Sequence, residues 1–250
     1  MADYTICESY TLPSKGKVYR VNVDPDITIR SMTTNDEMKR LSHTDRPYKL
    51  LSEIIDDCLV KSPGISAYDM CVGDYQFLLH RLRVVTYGPD YKASLTCPFC
   101  GQTSTSFINL DDLKVIEYTD SINDLFEFDL PRSKRHIRIR MQTPRMLDDV
   151  AIRTQEAKKK YSAMTGDPAF LFNLEAIIEE VDGIKIDAVK VEDFVRSLPM
   201  MDVNYIMRKS QKLNESIGVD INFEVDCEVC GLTYPTTFRF SSEFFGPSID

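Results

Sequence analysis

Cys97-Pro98-Phe99-Cys100-Gly101 and, in the other half of the chain, Cys227-Glu228-Val229-Cys230-Gly231 are the stretches that decide how this 250-residue sequence is read. Each is a Cys-x-x-Cys followed by glycine. A zinc knuckle needs this arrangement: two thiolates on a tight turn, backbone N–H groups directed at sulfur, and a glycine able to take the left-handed conformation that reverses the chain. One knuckle offers two ligands, whereas a structural zinc takes four. The only three histidines, His43, His80 and His136, lie near neither motif. The economical expectation is one structural zinc per chain, held by Cys97, Cys100, Cys227 and Cys230. Four thiolates leave no position for a reacting water, so the metal would stabilise rather than catalyse. Three alternatives compete. A redox Cys-x-x-Cys normally sits at a helix N-terminus, but these lie between strand-like segments. Disulfides are disfavoured in a reducing compartment. Two separate zinc sites could each be completed by another chain.

Outward from the knuckles, each is flanked by extended residues that predict a β-hairpin, at 91–96 with 102–110 and at 219–226 with 232–240. Further out the same order of features occurs twice. Leu12-Pro-Ser-Lys-Gly is answered by Leu130-Pro-Arg-Ser-Lys, and Ile29-Arg-Ser-Met-Thr-Thr-Asn-Asp by Arg140-Met-Gln-Thr-Pro-Arg-Met-Leu. Leu51-Ser-Glu-Ile-Ile-Asp-Asp is answered by Leu174-Glu-Ala-Ile-Ile-Glu-Glu, and Asp74-Tyr-Gln-Phe by Asp202-Val-Asn-Tyr. The expected fold is α+β, two related halves from an internal duplication (1–118 and 119–250), each with strands, helices and a cysteine hairpin, joined by a shared zinc. In the first half this predicts a strand over 18–23, a helix opening after Thr33, and helices over 48–60 and 74–87, the last stopped by Gly88-Pro89. In the second half it predicts helices over 147–162, 168–180 and 201–217, the last stopped by Gly218, and an Asp182-Gly183 turn. Residues 111–126 read as a linker with an edge segment.

Composition limits the function classes. With 30 Lys+Arg against 39 Asp+Glu the net charge is −9, which argues against generic duplex binding. The 43% of hydrophobic residues suffices for an ordinary core. Apolar runs such as Phe170-Leu171-Phe172 are far too short to cross a bilayer. The start, Met1-Ala-Asp-Tyr-Thr-Ile-Cys-Glu, has neither the basic nor the apolar region of a secretory leader, so a reducing cytoplasm is expected. Arg132-Ser-Lys-Arg-His-Ile-Arg-Ile-Arg140 is the most basic stretch. As a strand it would align Lys134, His136, Arg138 and Arg140 on one face, which could meet nucleic acid or an acidic partner or be a solvated face. Phosphate loops, His-Glu-x-x-His and nucleophile signatures are absent, so no enzyme is expected. Asp56-Asp57 and Glu179-Glu180 read as exposed helix edges, His80 as a packed side chain, and Cys58 and Cys71 as small buried hydrophobes. Cys7 has no assigned role.

The run Leu12-Pro-Ser-Lys-Gly, Ile29-Arg-Ser-Met-Thr-Thr-Asn-Asp-Glu, Arg81-Leu-Arg-Val-Val-Thr-Tyr-Gly and Cys97-Pro-Phe-Cys-Gly resembles the baseplate hub family of T-even-type contractile-tailed bacteriophages. The likeness extends from about Tyr10 to Phe240 and is better in the first half. It implies a structural or assembly role, a late protein made in the cytoplasm of an infected bacterium and carried in the virion tail baseplate or acting during its assembly. Its partners would be other phage hub and tail proteins. It carries over no catalytic residue. The alternative function is a zinc-ribbon nucleic-acid-binding regulator using Lys134, His136, Arg138 and Arg140.

Overall fold

The computed structural model describes residues 5–160, 167–237 and 242–245. The first half opens with β1 (Cys7–Thr11) and β2 (Asp26–Arg30), antiparallel in a register that sets Cys7 opposite Arg30 and Thr11 opposite Asp26. The strand expected over 18–23 is not formed. Residues 12–25 make an irregular turn, with Leu12 N–H bonded to the Pro25 carbonyl at 2.8 Å. The alternation that does build a strand is that of Asp26–Arg30, where Ile27 and Ile29 are buried, whereas Val21 is exposed and pairs with no strand among the described residues.

α1 (Thr34–Arg40) begins as expected after Thr33, whose amide and hydroxyl both bond the Asp36 carboxylate, at 2.7 and 2.8 Å. α2 (Pro47–Cys58) has proline in its first turn, where the missing N–H costs nothing, and buries Ile54, Ile55 and Cys58. α3 (Val72–Tyr87) buries Leu78, Leu82 and Val85 and ends at Gly88, with φ +85°. β3 (Asp90–Thr96) and β4 (Thr103–Asn109) form the first cysteine hairpin. The linker contributes β5 (Val115–Ile116) and a 3-10 turn at Asp120–Leu125.

The second half opens with β6 (Glu127–Asp129) and β7 (His136–Ile139), followed by α4 (Pro144–Lys160) and α5 (Pro168–Ile177). Ser162, the expected end of α4, lies outside the described residues. α5 stops three residues short of expectation because Ile178–Val181 becomes strand β8, paired with β7; Ile178 and Val181 are β-branched and buried there. β8 turns back into β9 (Ile184–Lys185) through Asp182 and Gly183, both at positive φ, the tight turn expected at that Asp-Gly. α6 (Ala188–Ser197) is a helix that the sequence reading did not place. α7 (Met200–Asn214) ends before Gly218. β10 (Gly218–Val219) pairs with β5, and β11 (Asn222–Asp226) with β12 (Thr233–Thr237) form the second cysteine hairpin; its expected end, 238–240, lies outside the described residues.

Every described sheet is antiparallel, the largest having strand order β6-β7-β8-β9. Two large hydrophobic cores result among the described residues. One gathers α2, α3 and β2, the other α5, α6, α7 and the four-stranded sheet. They are not insulated from each other. Phe244 and Phe245, at the C-terminal end, are buried in the first core, as is Val219. Asp148 of α4 accepts the Lys49 amide at 2.9 Å and the Tyr68 hydroxyl at 3.1 Å, so it caps α2 across the two halves.

The halves share hydrogen bonds of one kind at corresponding places. Asp74, in the first turn of α3, accepts the Ser14 amide of the Leu12-Pro13 turn at 3.0 Å. Asp202, in the first turn of α7, accepts the Arg132 and Ser133 amides of the Leu130-Pro131 turn at 2.8 and 2.9 Å. Lys15 and Lys134 both adopt positive φ in these turns, and Leu12 and Leu130 are both fully buried. Further along, the Met32 amide bonds the Thr86 hydroxyl of α3 at 3.0 Å, while the Gln142 amide bonds the Asn214 side chain of α7 at 2.9 Å.

Candidate metal centre

Each cysteine hairpin is built the same way. Cys97 N–H bonds the Gln102 carbonyl at 2.9 Å and Gly101 N–H bonds the Cys97 carbonyl at 2.9 Å; Cys227 and Leu232, and Gly231 and Cys227, repeat this at 3.0 and 2.8 Å. Gly101 and Gly231 sit at φ +71° and +70° with open space where a Cβ would be. Left-handed backbone, rather than close packing, is therefore what requires glycine there.

The two turns meet tip to tip. The four sulfurs of Cys97, Cys100, Cys227 and Cys230 all lie within 4.8 Å of one another. Cys97 Sγ is 3.8 Å from Cys230 Sγ, and Cys100 Sγ is 3.7 Å from Cys227 Sγ. The cross-hairpin pairs are thus at the edge length of a tetrahedron whose centre is about 2.3 Å from each sulfur, roughly 3.8 Å. The four residues could hold a metal ion, and the alternative of two separate two-cysteine sites does not describe this geometry. Cys97, Cys227 and Tyr234 are buried together, with Val225 packed against them, as a small core of their own. The Cys230 and Val229 amides aim at the Cys227 sulfur and bring its thiol down to about 7. At Cys230 the Leu232 amide acts in the same direction, but desolvation and the other sulfurs outweigh it and lift the thiol to about 11. A cage of four sulfurs cannot carry four charges by itself. A divalent cation at its centre removes that conflict.

The remaining candidates have structural employment. The expected row of cations is not a free basic strip. Lys134 lies in a turn outside β7, and Arg140 follows the strand. His136 Nδ1 bonds Asp129 at 2.9 Å, Arg138 pairs with both Glu127 and Glu179, and Arg135 pairs with Asp182 at 2.5 Å. Carboxylates on the neighbouring strands β6 and β8 thus pair two of its four members, His136 and Arg138. Glu179 and Glu180 are strand residues rather than a helix edge. Asp56 caps the turn at Ala67, and Asp57 pairs with Lys39 at 2.9 Å. His80 is fully buried with Nε2 on the Leu110 carbonyl at 2.8 Å. Cys58 and Cys71 are buried, and burial pushes both thiols up to about 12; Cys7 is exposed on β1.

Sequence reasoning passed over three polar groups. Asp74, Asp148 and Arg83 are all fully or almost fully buried. Arg83 donates to the Phe244 carbonyl at 2.9 Å and the Gly88 carbonyl at 3.0 Å and stacks on Tyr87, tying the C-terminal turn to the base of the first hairpin. The visible signal was the matched pair Asp74 and Asp202; Arg83 on a helix gave none.

No described helix is long and apolar enough to cross a membrane. Comparison with curated proteins and with solved structures finds no match. A family model described as T4 bacteriophage base plate protein matches residues 1–246, nearly the whole chain and both cysteine hairpins. This chain belongs to the T4 bacteriophage base plate protein family.

Proposed function

We propose that the protein is a component or assembly factor of the central hub of the phage baseplate. It acts by binding other hub and tail proteins, not by catalysis, with Cys97, Cys100, Cys227 and Cys230 holding one structural zinc. Family membership over residues 1–246 supports the baseplate assignment. The sulfur cage carries the rest: its ligands come from two hairpins far apart in the sequence, so one ion fixes the mutual orientation of two hairpins that share no strand pairing. Cysteine hairpins without a helix dipole at the sulfurs suit zinc better than a redox pair. The protein would be made in the cytoplasm of the infected host and function in, or on the way to, the tail baseplate.

The same reading takes residues 1–118 and 119–250 as duplicated copies of one pattern. In support, Asp74 and Asp202 make equivalent bonds to equivalent Leu-Pro turns. Duplication would give a binding protein two similar faces held at a fixed angle. The test is affinity capture of the tagged full chain from infected cells, with the captured proteins identified. Recovery of hub and tail proteins, reduced for Cys97→Ser, is expected. Recovery of host nucleic acid without tail proteins would overturn the assignment.

A further inference from the structure

Between the two cysteine hairpins lies an open groove of about 390 Å³, walled by the end of β4 on one side and by β11 on the other. Ladder geometry determines which backbone groups of these two strands point away from the strand each is paired with. In the first hairpin the Cys97–Gln102 and Leu110–Pro89 bonds fix the alternation. Residues 104, 106 and 108 therefore bond β3, while the N–H and C=O groups of Thr103, Thr105 and Phe107 point away from it. In the second hairpin the Cys227–Leu232 bond leaves Glu224 and Asp226 pointing away from β12. Among the described residues each hairpin is a two-stranded sheet, so each of the four strands has one edge with no strand paired to it. The edges of β3 and β12 carry protection, Lys92 in one and Pro235 in the other, whereas β4, Thr-Ser-Thr-Ser-Phe-Ile-Asn, has neither charge nor proline.

The groove also has a definite chemistry. Phe107, whose side chain is 78% exposed, stands on it together with Leu113, Phe223 and Val225. Asp112, Glu224, Asp226 and Glu228 line it, and among the described residues no lysine or arginine does. Among the described residues Asp112, Glu224 and Glu228 have no cationic partner. A second copy of this chain would bring the same carboxylates against them, so self-pairing is disfavoured. A basic strand would satisfy both the free backbone edge and the charge.

We propose that this groove takes an extended lysine- or arginine-bearing segment of a partner protein, added as a strand to the free edge of β4. Alternate side chains would meet the apolar wall and the carboxylates opposite. The proposal names the partner chemistry for the binding role argued above and rests on that role, and its test needs no phage protein. Labelled acetyl-Lys-Val-Lys-Val-Lys-Val-Lys-amide is titrated into the zinc-loaded full chain and followed by fluorescence anisotropy. The titration is repeated with the Glu-for-Lys peptide, with a copy N-methylated along one edge, and with the double variant Glu224→Lys, Glu228→Lys. Expected are binding of the basic peptide, no binding of the acidic or N-methylated one, and a loss of roughly tenfold in the double variant. Equal binding of the N-methylated peptide, unchanged affinity in the variant, or no binding of the basic peptide would overturn it. Zinc content of the variant should equal that of the parent, which separates a lost groove from a lost fold. Capture of tail proteins from infected cells is measured independently, so failure here leaves the baseplate assignment standing.

Discussion

A Cβ placed on Gly218 would stand 2.7 Å from the Gly73 Cα, and one placed on Gly73 would stand 2.2 Å from the Ile217 carbonyl oxygen. The first turn of α3, in the first half, therefore rests directly on the backbone entering β10, in the second. Both glycines belong to the junction at which β5 and β10 pair. Elsewhere in a helix glycine would be a weakness, and alanine would stabilise by about 1 kcal/mol. Here the sign should reverse. Gly73→Ala is expected to lower stability by roughly 1–3 kcal/mol, the usual cost of forcing atoms into a packed junction. Urea denaturation reads it, and a stabilised variant would show that the two backbones are not in contact.

Asp148 should matter more than its neighbour Asp149. Asp148 is buried and accepts the Tyr48 amide at 3.3 Å, the Lys49 amide at 2.9 Å and the Tyr68 hydroxyl at 3.1 Å. The N-cap of α2, Arg46, makes no side-chain cap of its own. Asp148→Ala leaves these donors unsatisfied and should cost about 2 kcal/mol. Asp149 pairs with Arg46 at 2.7 Å in a half-exposed position, so Asp149→Ala should cost less than about 1 kcal/mol. Equal losses in thermal or chemical unfolding would contradict the capping role.

His80 predicts a pH dependence with a definite sign. Burial, reinforced by the neighbouring Arg81 charge, lowers it from 6.5 to about 4, while the Leu110 carbonyl bond opposes the shift. Between these values the unfolded chain binds a proton that the folded chain does not. Stability from this group is therefore full above about 6.5 and is lost as pH falls toward 4. From pH 7 to pH 5 the loss is about 2 kcal/mol. His80→Gln can keep the donor to Leu110 and removes the titration. The stability difference between parent and variant should shift by that amount over the same interval. An unchanged difference would mean that His80 titrates near its ordinary value.

The cysteine hairpins were legible because their determinants are local: Cys-x-x-Cys-Gly fixes the turn, and alternation at 91–96 and 222–226 fixes the strands. The capped start of α1 and the Asp182-Gly183 turn were legible for the same reason. What failed depended on partners distant in sequence. Residues 18–23 alternate like a strand but have nothing to pair with, and Ile178–Val181 continue a helical pattern until β7 captures them. Lys134 to Arg140 looked like a basic face because Glu127, Asp129 and Glu179, which pair with His136 and Arg138 at its centre, come from other strands. Arg83 is a helix residue whose meaning depends on the Phe244 carbonyl far along the chain.

That one zinc joins the hairpin of Cys97 and Cys100 to that of Cys227 and Cys230 is tested most directly by metal content per chain. The purified full-length protein, measured by elemental analysis after dialysis, should hold one zinc. Cys97→Ser and Cys227→Ser should each lose it, because each removes a quarter of a shared tetrahedron rather than half of a private site. Two zincs per chain, or retention of the metal after either substitution, would contradict the account.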